Sequence, residues 1–452
     1  MSVYLARWKY FIFCIFLTTI FISPNSLANG TSLPQKEKSF SLGEVQEDYD
    51  LLIKLINSYH SKVFVKMDEF NDLASARRSL LHDGMNELEF YRVVSPLVSK
   101  LNCAHSSISL SNTYINNIFS KRQVFPLTIK LINNKIYVYK DYFNIGIPLG
   151  SEILNINGKD IKDIISVLLA NVSSDGQNLT HKYYKINFLF AQLYYYYIDD
   201  SEEFVITYRN PNNGDIDKKS IPGVLLPKVF TKNQLPYKSP LDNQIINNNY
   251  AILKVPSFGF YKPEEIQNFK NYIDEFFKRI KEHKITNLIL DLRYNKGGYD
   301  DCSTYLFSHL IAKQTPYFVP TFGAGNSKND FLKIKPAKNS FKGNLYILIN
   351  GGSYSATGLL CSVLKSNKIG IFIGEETGGS YICQGYTVNY KDFTLANTKL
   401  NLEISSRIYR TDVSGLPFGR GISPDYVVTP TIQEYLNGKD VELDFAIKLF
   451  KI

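Results

Sequence analysis

Residues 344–358 read NLYILINGGSYSATG, which joins an apolar run, a glycine-serine turn and a helix-forming segment. The apolar run predicts a buried β-strand, and the residues after it predict a helix that starts near Ala356. A serine at such a turn lies at a helix N-terminus, where backbone N–H groups can stabilise a developing oxyanion. Ser353 and Ser355 are therefore candidate nucleophiles, although the stretch is not GxSxG. The competing interpretation is that both serines only cap the helix.

A second glycine-rich turn follows another predicted strand, in residues 288–298, which read LILDLRYNKGG. Gly297 and Gly298 allow the backbone to come close to a ligand, and their amides can donate to an oxyanion. The alternative is an ordinary strand-to-helix loop in which Asp291 and Arg293 form a structural ion pair. A phosphate-binding loop is not indicated, because the pattern GxxxxGK[ST] is absent.

The third candidate is a histidine among small residues. His105 lies in residues 101–107, LNCAHSS, at the end of a predicted helix, where a ring has room to act. Three other histidines lie in polar stretches and are expected to be exposed, namely His60, His82 and His283. Of the remaining two, His309 lies in a predicted helix and His181 in a polar, tyrosine-rich stretch. A lone histidine like His105 is more often structural than catalytic, so its position alone does not decide its role.

The periodicity of apolar residues divides the chain into three regions. Residues 42–115 predict an N-terminal helical segment, and residues 122–225 predict a β-rich domain with one helix near 161–170. In residues 245–452 predicted strands alternate with helices, which favours an α/β fold. The predicted strands there are 250–255, 287–292, 345–349 and 369–374, and the predicted helices are 264–283, 304–312 and 356–366. An irregular insertion is expected at 320–342.

The composition excludes several classes of protein. The 452 residues include 51 Lys and Arg and 42 Asp and Glu, which gives a formal charge of +9. A content of 44% hydrophobic residues is that of a globular protein, and it argues against a disordered, collagen-like or multi-span membrane chain. Basic residues form no long block, so no nucleic-acid partner is expected. The chain has five cysteines. The four that follow Cys14 permit disulfides but are equally consistent with buried thiols, and their spacing predicts no metal site: Cys103, Cys302, Cys361 and Cys383.

The N-terminus has the pattern of a secretory signal peptide. Arg7 and Lys9 precede an apolar run at 10–22, and a small-x-small site ends at Ala28. The run is shorter than the roughly 20 residues of a membrane-spanning helix, so we expect no membrane span once 1–28 is removed. An uncleaved anchor is the alternative. Removal lowers the charge to +7, and the mature chain is expected to be exported to the periplasm, the cell envelope or the medium.

Five motifs, in this order, resemble those of the tail-specific, or C-terminal-processing, serine peptidase family, whose relatives include the tricorn core protease and the interphotoreceptor retinoid-binding protein. The motifs are AHS at 104–106, DLRYNKGG at 291–298, SYSA at 353–356, GEETGG at 374–379 and GISPD at 421–425. Residues 150–158, GSEILNING, resemble a stretch of the family's PDZ domain. The resemblance covers nearly all of the mature chain. It implies an α/β core of ββα units like those of ClpP and the crotonases, with an N-terminal helical segment and a β-rich PDZ-like domain.

The resemblance also implies roles for individual residues. Ser355 aligns with the family nucleophile, and the amides of Ala356 and of Gly297 or Gly298 would form the oxyanion hole. One branch of the family uses a lysine as the base, but Ser380 stands at that position here.

The tricorn-like branch uses a histidine instead, and His105 occupies its position. His105 is then the expected general base for Ser355. The acid that this branch uses shortly before the last motif is absent, so three other residues are candidates to orient the ring: Gln384, Glu376 and Asp412.

The function implied by the resemblance is that of an exported serine peptidase, which cleaves peptides or proteins through an acyl-enzyme on Ser355 without a cofactor or metal. The PDZ-like domain would bind an extended peptide by adding a strand to its sheet. The alternative is a catalytically inactive peptide- or ligand-binding protein on the same scaffold, because the lysine is missing and a fold does not guarantee a function. An esterase or lipase is a weaker alternative, since GxSxG is absent.

Overall fold

A computed structural model describes residues 37–232, 240–319, 333–385 and 391–450 of the chain. The predicted signal peptide at 1–28 and most of the predicted insertion at 320–342 lie outside these residues. Among the described helices, none combines the length and the apolar character needed to cross a bilayer.

The N-terminal region is helical, as its periodicity predicts, and it leads into the segment that carries His105. Capping boxes start two of its helices, with Ser41 and Asn86 as the cap residues. Each cap side chain accepts a hydrogen bond from the amide of the third helical residue, whose side chain accepts one from the amide of the cap residue. Its elements are β1 (Ser39–Phe40), α1 (Leu42–Tyr59), α2 (Met67–Arg78), β2 (Met85–Asn86), α3 (Glu87–Lys100), β3 (Ser107–Ser109) and α4 (Asn112–Asn117).

The middle region is built around an antiparallel sheet. Its elements are β4 (Gln123–Val124), β5 (Thr128–Ile132), β6 (Lys135–Lys140), β7 (Glu152–Ile156), β8 (Lys159–Asp160), α5 (Ile161–Asn171), α6 (Thr180–Tyr197), β9 (Glu203–Arg209), β10 (Ile216–Pro222), β11 (Val224–Leu225) and α7 (Leu226–Lys232). The strands run in the order β10-β9-β7-β6-β5, with β8 beside β7. Helix α5 agrees with the prediction. His181, which the sequence places in a polar, tyrosine-rich stretch, lies in α6 and is fully buried.

The C-terminal region is the predicted α/β layer structure. Its elements are β12 (Asp242–Ile246), β13 (Tyr250–Lys254), α8 (Pro263–Glu282), β14 (Asn287–Asp291), α9 (Asp300–Ser308), β15 (Thr315–Pro316), β16 (Lys333–Ile334), β17 (Asn344–Ile349), α10 (Ala356–Ser366), β18 (Ile371–Gly374), β19 (Ile382–Gly385), β20 (Lys391–Thr394), β21 (Asn401–Ile404), β22 (Arg407–Arg410), β23 (Tyr426–Val427), α11 (Ile432–Leu436) and α12 (Val441–Leu449). The main sheet has the order β12-β13-β14-β17-β18-β23 and is parallel from β13 onward.

The order of this sheet brings the two glycine-rich motifs together. Strands β14 and β17 are parallel neighbours, so the turns at their carboxyl ends meet at the same edge. Ligand sites of open parallel sheets form at such edges. The sheet therefore places residues 292–298 beside the turn that precedes α10.

Two large hydrophobic cores lie within the described residues. The N-terminal helices and the middle sheet share the first core, which also includes residues of the β20–β21 hairpin such as Leu395 and Leu402. The second core lies between the parallel sheet and α8, α9 and α10. The predicted helical segment and β-rich domain are thus packed as one unit.

One largely buried ion-pair cluster ties the end of β14 to the start of α12. Arg293, whose side chain is only 12% exposed, pairs with Asp291 at 2.8 Å, Asp440 at 2.7 Å and Glu442 at 3.2 Å. The structural pairing of Arg293 with Asp291, which the sequence left open, is present. It anchors the residue that precedes the second glycine-rich turn.

Candidate active site

The turn between β17 and α10 holds Ser355 in an uncommon backbone conformation. Its φ of +59° and ψ of −130° lie outside the regions that residues other than glycine normally adopt. Such conformations persist only where the surroundings enforce them, and they concentrate at active sites. The Ser355 side chain makes no capping hydrogen bond to α10. The interpretation of this serine as a simple helix cap therefore does not fit.

Ser353, the other serine of the motif, has a structural role. It is fully buried, and its Oγ donates to the carbonyl of Leu292 at 2.8 Å. The same Oγ accepts a hydrogen bond from the amide of Asn350 at 3.1 Å. Ser353 thus fastens the turn between β17 and α10, which we call the nucleophile turn, to the end of β14. Its hydroxyl is not available as a nucleophile.

His105 lies next to Ser355, although 250 residues separate the two in sequence. The distance from His105 Nε2 to Ser355 Oγ is 3.0 Å, which is a hydrogen-bond distance. Burial is the main cause that lowers the pKa of His105 to about 4, and the charge of Lys185 acts in the same direction. The ring is therefore neutral at pH 7 and can accept a proton.

Strand β3 holds His105 in this position. It pairs with β21 in antiparallel register, with Ile108 opposite Leu402. Ser106 adds a further link, because its Oγ accepts a hydrogen bond from the amide of Ser405 at 3.1 Å. The histidine comes from the N-terminal region, but residues that follow Ser355 in sequence fix its position.

The second glycine-rich turn approaches the nucleophile turn very closely. A Cβ atom on Gly297, whose φ is +83°, would lie 2.7 Å from both Ala356 N and Ser355 Cβ, so only glycine fits there. The amide of Gly297 donates to Asn295 Oδ1 at 2.9 Å and is therefore occupied. In the described part of the chain, the amides of Ala356 and Gly298 donate to no protein acceptor. These two amides are the available pair for an oxyanion.

An acid that sequence reasoning missed lies beside the histidine. Asp175 is buried, and ligand-type atoms of His105, Asp175 and Cys383 all lie within 4.8 Å of one another. Its Oδ1 accepts from the amide of Ala104 at 2.8 Å, whereas Oδ2 is buried and accepts no hydrogen bond from the described residues. Burial raises the pKa of Asp175 to about 7. The only sequence signal was an Asp-Gly pair in the loop after α5, which is typical of turns in general.

Cys383 packs against Ser355 and His105. Its Sγ lies 3.8 Å from each ring nitrogen of His105 and 4.0 Å from Ser355 Oγ. Burial raises the pKa of this thiol well above its usual value, so it stays protonated. All four cysteines of the described chain are buried free thiols. Within that part of the chain, the trio of His105, Asp175 and Cys383 is also the one group of such side chains close enough to bind a metal ion.

The three residues expected to orient the ring have other surroundings. Glu376 accepts hydrogen bonds from Arg420 Nε at 3.0 Å and from the amide of Gly421 at 2.7 Å. Asp412 is exposed on the surface. Gln384 is fully buried, and neither atom of its amide makes a hydrogen bond of normal geometry with the described residues.

His60 differs from its expected exposure, whereas Ser380 stands where the sequence analysis places it. His60 was expected to be exposed but is 5% exposed, and burial lowers its pKa to about 4 while a contact with Gln384 opposes that shift. Ser380, at the position of the missing lysine, closes a local turn by donating to the carbonyl of Ile382 at 2.7 Å. No base replaces the lysine at that position.

His181 supports the nucleophile turn from the other side. Its Nδ1 donates to the carbonyl of Gly351 at 2.9 Å, and its ring centroid lies 4.6 Å from that of Tyr354. Burial holds its pKa well below the usual value, so the ring is neutral. Because His181 belongs to α6, which the sequence did not predict, this contact could not be foreseen.

Comparison with known proteins finds relatives among serine peptidases. Residues 249–428 match the sequence profile of Peptidase family S41. A carboxy-terminal-processing protease of Bartonella bacilliformis is 24% identical over 234 residues, which are 48% of this chain and 50% of that protein. A tricorn protease homolog of Saccharolobus solfataricus is 27% identical over 184 residues, 39% of this chain and 15% of that protein. The chain thus matches half or less of the length of these curated relatives.

The overall fold also has a solved counterpart. The structure of mature CPAF complexed with lactacystin superposes with a TM-score of 0.64 over 90% of this chain and 97% of that chain, at 14% sequence identity. At that identity the likeness concerns the fold alone. The resemblance inferred from the five motifs, and the mixed helix-and-sheet peptidase fold that it implies, are confirmed.

Proposed function

We propose that this chain, a member of peptidase family S41, hydrolyses peptide bonds through an acyl-enzyme on Ser355, with His105 as the general base. The observation that carries the proposal is the 3.0 Å contact between His105 Nε2 and Ser355 Oγ at a conformationally constrained turn. A histidine within hydrogen-bond reach of a serine is the arrangement that activates the hydroxyl for nucleophilic attack. The alternative of an inactive binding protein is not favoured, because it gives no reason for this contact.

In the first half of the reaction, His105 Nε2 takes the hydroxyl proton as Ser355 Oγ attacks the substrate carbonyl carbon. The amides of Ala356 and Gly298 stabilise the oxyanion that forms on the carbonyl oxygen. The protonated ring then gives its proton to the leaving amine, and the C–N bond breaks. An acyl-enzyme remains on Ser355.

In the second half, His105 takes a proton from a water molecule that attacks the acyl carbon. The carboxylic acid product leaves as Ser355 recovers its proton. Asp175 acts as a positioning residue, because an ionised carboxylate near the ring stabilises the imidazolium that forms in both halves. Cys383 remains a neutral packing partner under the ring.

The finer parts of the architecture also belong to the proposal. The middle sheet would act as a PDZ-like peptide-binding domain, with the core strands forming ClpP- or crotonase-like units. Strand β10 supports the assignment of a peptide-binding domain, because it lies at the edge of the sheet. It pairs with β9 and with no second strand among those described. Such an edge can accept a peptide as an additional strand. Export to the periplasm or beyond rests on the signal-peptide pattern of residues 1–28.

A fluorophosphonate probe tests the proposal directly. The purified chain should be labelled, and peptide mapping should find the adduct on Ser355. Labelling should vanish in Ser355→Ala and fall by at least about 100-fold in His105→Ala, within the range for loss of general base catalysis. Ser366→Ala, a partly exposed serine at the end of α10, is the matched control and should label normally. An unlabelled wild type with a normal circular dichroism spectrum, or full labelling of His105→Ala, would contradict it.

A further inference from the structure

A cavity of about 160 Å³ lies beside the catalytic turn. Its lining includes Tyr354 and Ala104, which are the chain neighbours of Ser355 and His105, and Lys296, which precedes Gly297. The rest of the wall comes mainly from α3, α6 and β3. We call it the Lys185 cavity, after the lysine of α6 that lines it. The cavity therefore lies one residue along the chain from each of Ser355 and His105.

The walls of the Lys185 cavity are mostly apolar and aromatic. Large rings line it on the α3 and α6 side, contributed by Tyr91, Tyr184, Phe188, Tyr196 and Tyr197. The volume is roughly ten times the space that one ordered water needs. Ligand sites combine such apolar walls with a few polar groups that set the orientation. The cavity has the size and lining for a substrate group of several carbon atoms.

The charged side chains that line the cavity are positive. Lys185 and Lys296 are both lining residues, and no aspartate or glutamate is among the described residues that line it. Lys185 Nζ donates to the carbonyl of Ser173 at 3.0 Å, and none of the ion pairs among the described residues includes Lys185. An ammonium group removed from water with only a neutral partner is costly. Burial accordingly lowers the pKa of Lys185 to about 8, and the charge of nearby Asp175 only partly opposes this.

We infer that the Lys185 cavity is a substrate subsite for an apolar group that carries a carboxylate, with Lys185 as its counter-charge. This inference rests on the proposed peptidase function. The carboxylate has two chemical sources, the α-carboxylate at the end of a peptide or the side chain of an acidic residue near the scissile bond. Both place methylene or ring atoms against the aromatic walls and an anion at Lys185. The inference makes Lys185 the residue that determines specificity.

Paired substrates test the inference and separate the two sources. One pair of fluorogenic peptides ends in a free acid or an amide, and the other carries Glu or Gln next to the cleaved bond. Wild type should cleave the anionic member of one pair with a kcat/KM at least about tenfold higher. Lys185→Met should abolish that ratio. Lys182→Met is the matched control, because Lys182 lies on the same helix and also donates to a backbone carbonyl, at 2.7 Å from Leu169 O, but does not line the cavity.

A binding measurement keeps the inference separate from catalysis. Ser355→Ala should bind 3-phenylpropanoate at least about tenfold more tightly than 3-phenylpropanamide by calorimetry, and Lys185→Met in that background should remove the difference. If fluorophosphonate labelling fails but the protein still binds the acid more tightly than the amide, the proposed function is overturned and the subsite inference is not. Equal binding of the acid and the amide, or a preference that survives Lys185→Met, would overturn the inference whatever the labelling result.

Discussion

Replacing Asp175 by Asn tests the proposed electrostatic role of this acid beside His105. The change keeps an oxygen for the amide of Ala104 but removes the charge near the ring. The two groups lie within 4.8 Å, and at that limit and an effective dielectric constant of about 20, a carboxylate and an imidazolium attract each other by about 3.5 kcal/mol. That free energy acts on the transition state, where the ring is protonated, and corresponds to a loss of roughly 300-fold in kcat.

The pH profile separates this role from simple damage to the fold. The pKa of Asp175 is raised to about 7, so wild-type kcat/KM should fall as the pH drops through about 7 and the carboxylate becomes neutral. Asp175→Asn lacks that limb, and its activity should fall only near the pKa of His105, about 4.

Steady-state hydrolysis of a fluorogenic peptide between pH 4 and 9 measures both effects. Asp412→Asn, a change at an exposed acid, should keep the wild-type rate and profile. The reasoning is refuted if Asp175→Asn retains more than about a tenth of the activity at pH 8, or keeps the limb near pH 7.

Three further substitutions probe the framework of the site. Gly297→Ala puts a Cβ atom 2.7 Å from Ser355 Cβ and should reduce fluorophosphonate labelling by more than about 100-fold. Gly214→Ala is the control, because Gly214 has a similar φ of +81° but open space around it. This control should lose only about 1 kcal/mol of stability and no activity. Arg293→Met leaves its partner carboxylates without a counter-ion and should lower the free energy of unfolding in urea by about 3–5 kcal/mol; a loss below 1 kcal/mol would mean that the cluster is not coupled to folding. Asp300 has a pKa raised to about 7, mainly by burial, so the native state binds more protons than the unfolded state between about pH 4 and 7 and stability falls as pH rises through that window. Asp300→Asn should therefore raise the melting temperature at pH 8 but not at pH 4, and an equal shift at both values would rule out this explanation.

Much of the C-terminal region could be predicted because its buried strands and amphipathic helices have clear periods. The helix predicted at 356–366 coincides with α10, and strand β17 begins one residue before its predicted start. Helix α6 was missed because its sequence, THKYYKINFLFAQLYYYY, places rings on all sides and gives no polar stripe. Packing against the sheet and α5 forms this helix, and a local pattern does not reveal such contacts.

Some residues of the candidate site could likewise be predicted from the sequence, and others could not. Ser355 and His105 could be proposed because short motifs mark them, and the structure brings them together. Asp175 carries no such mark, since its proximity to the ring depends on a loop that docks against the amide of Ala104, 71 residues away. The choice between the Gly297 and Gly298 amides likewise depends on a single hydrogen bond to Asn295.

The pairing of β3 with β21 has a consequence for the timing of activity during synthesis. His105 leaves the ribosome early, but the strand that fixes it ends at Ile404, well after Ser355. A growing chain therefore contains both reactive groups before it can align them. Chains that stop before that strand should therefore be inert toward a fluorophosphonate probe. Release of the hairpin in the finished protein would remove the support of His105 beside Ser355 by the same route, without any change at the serine.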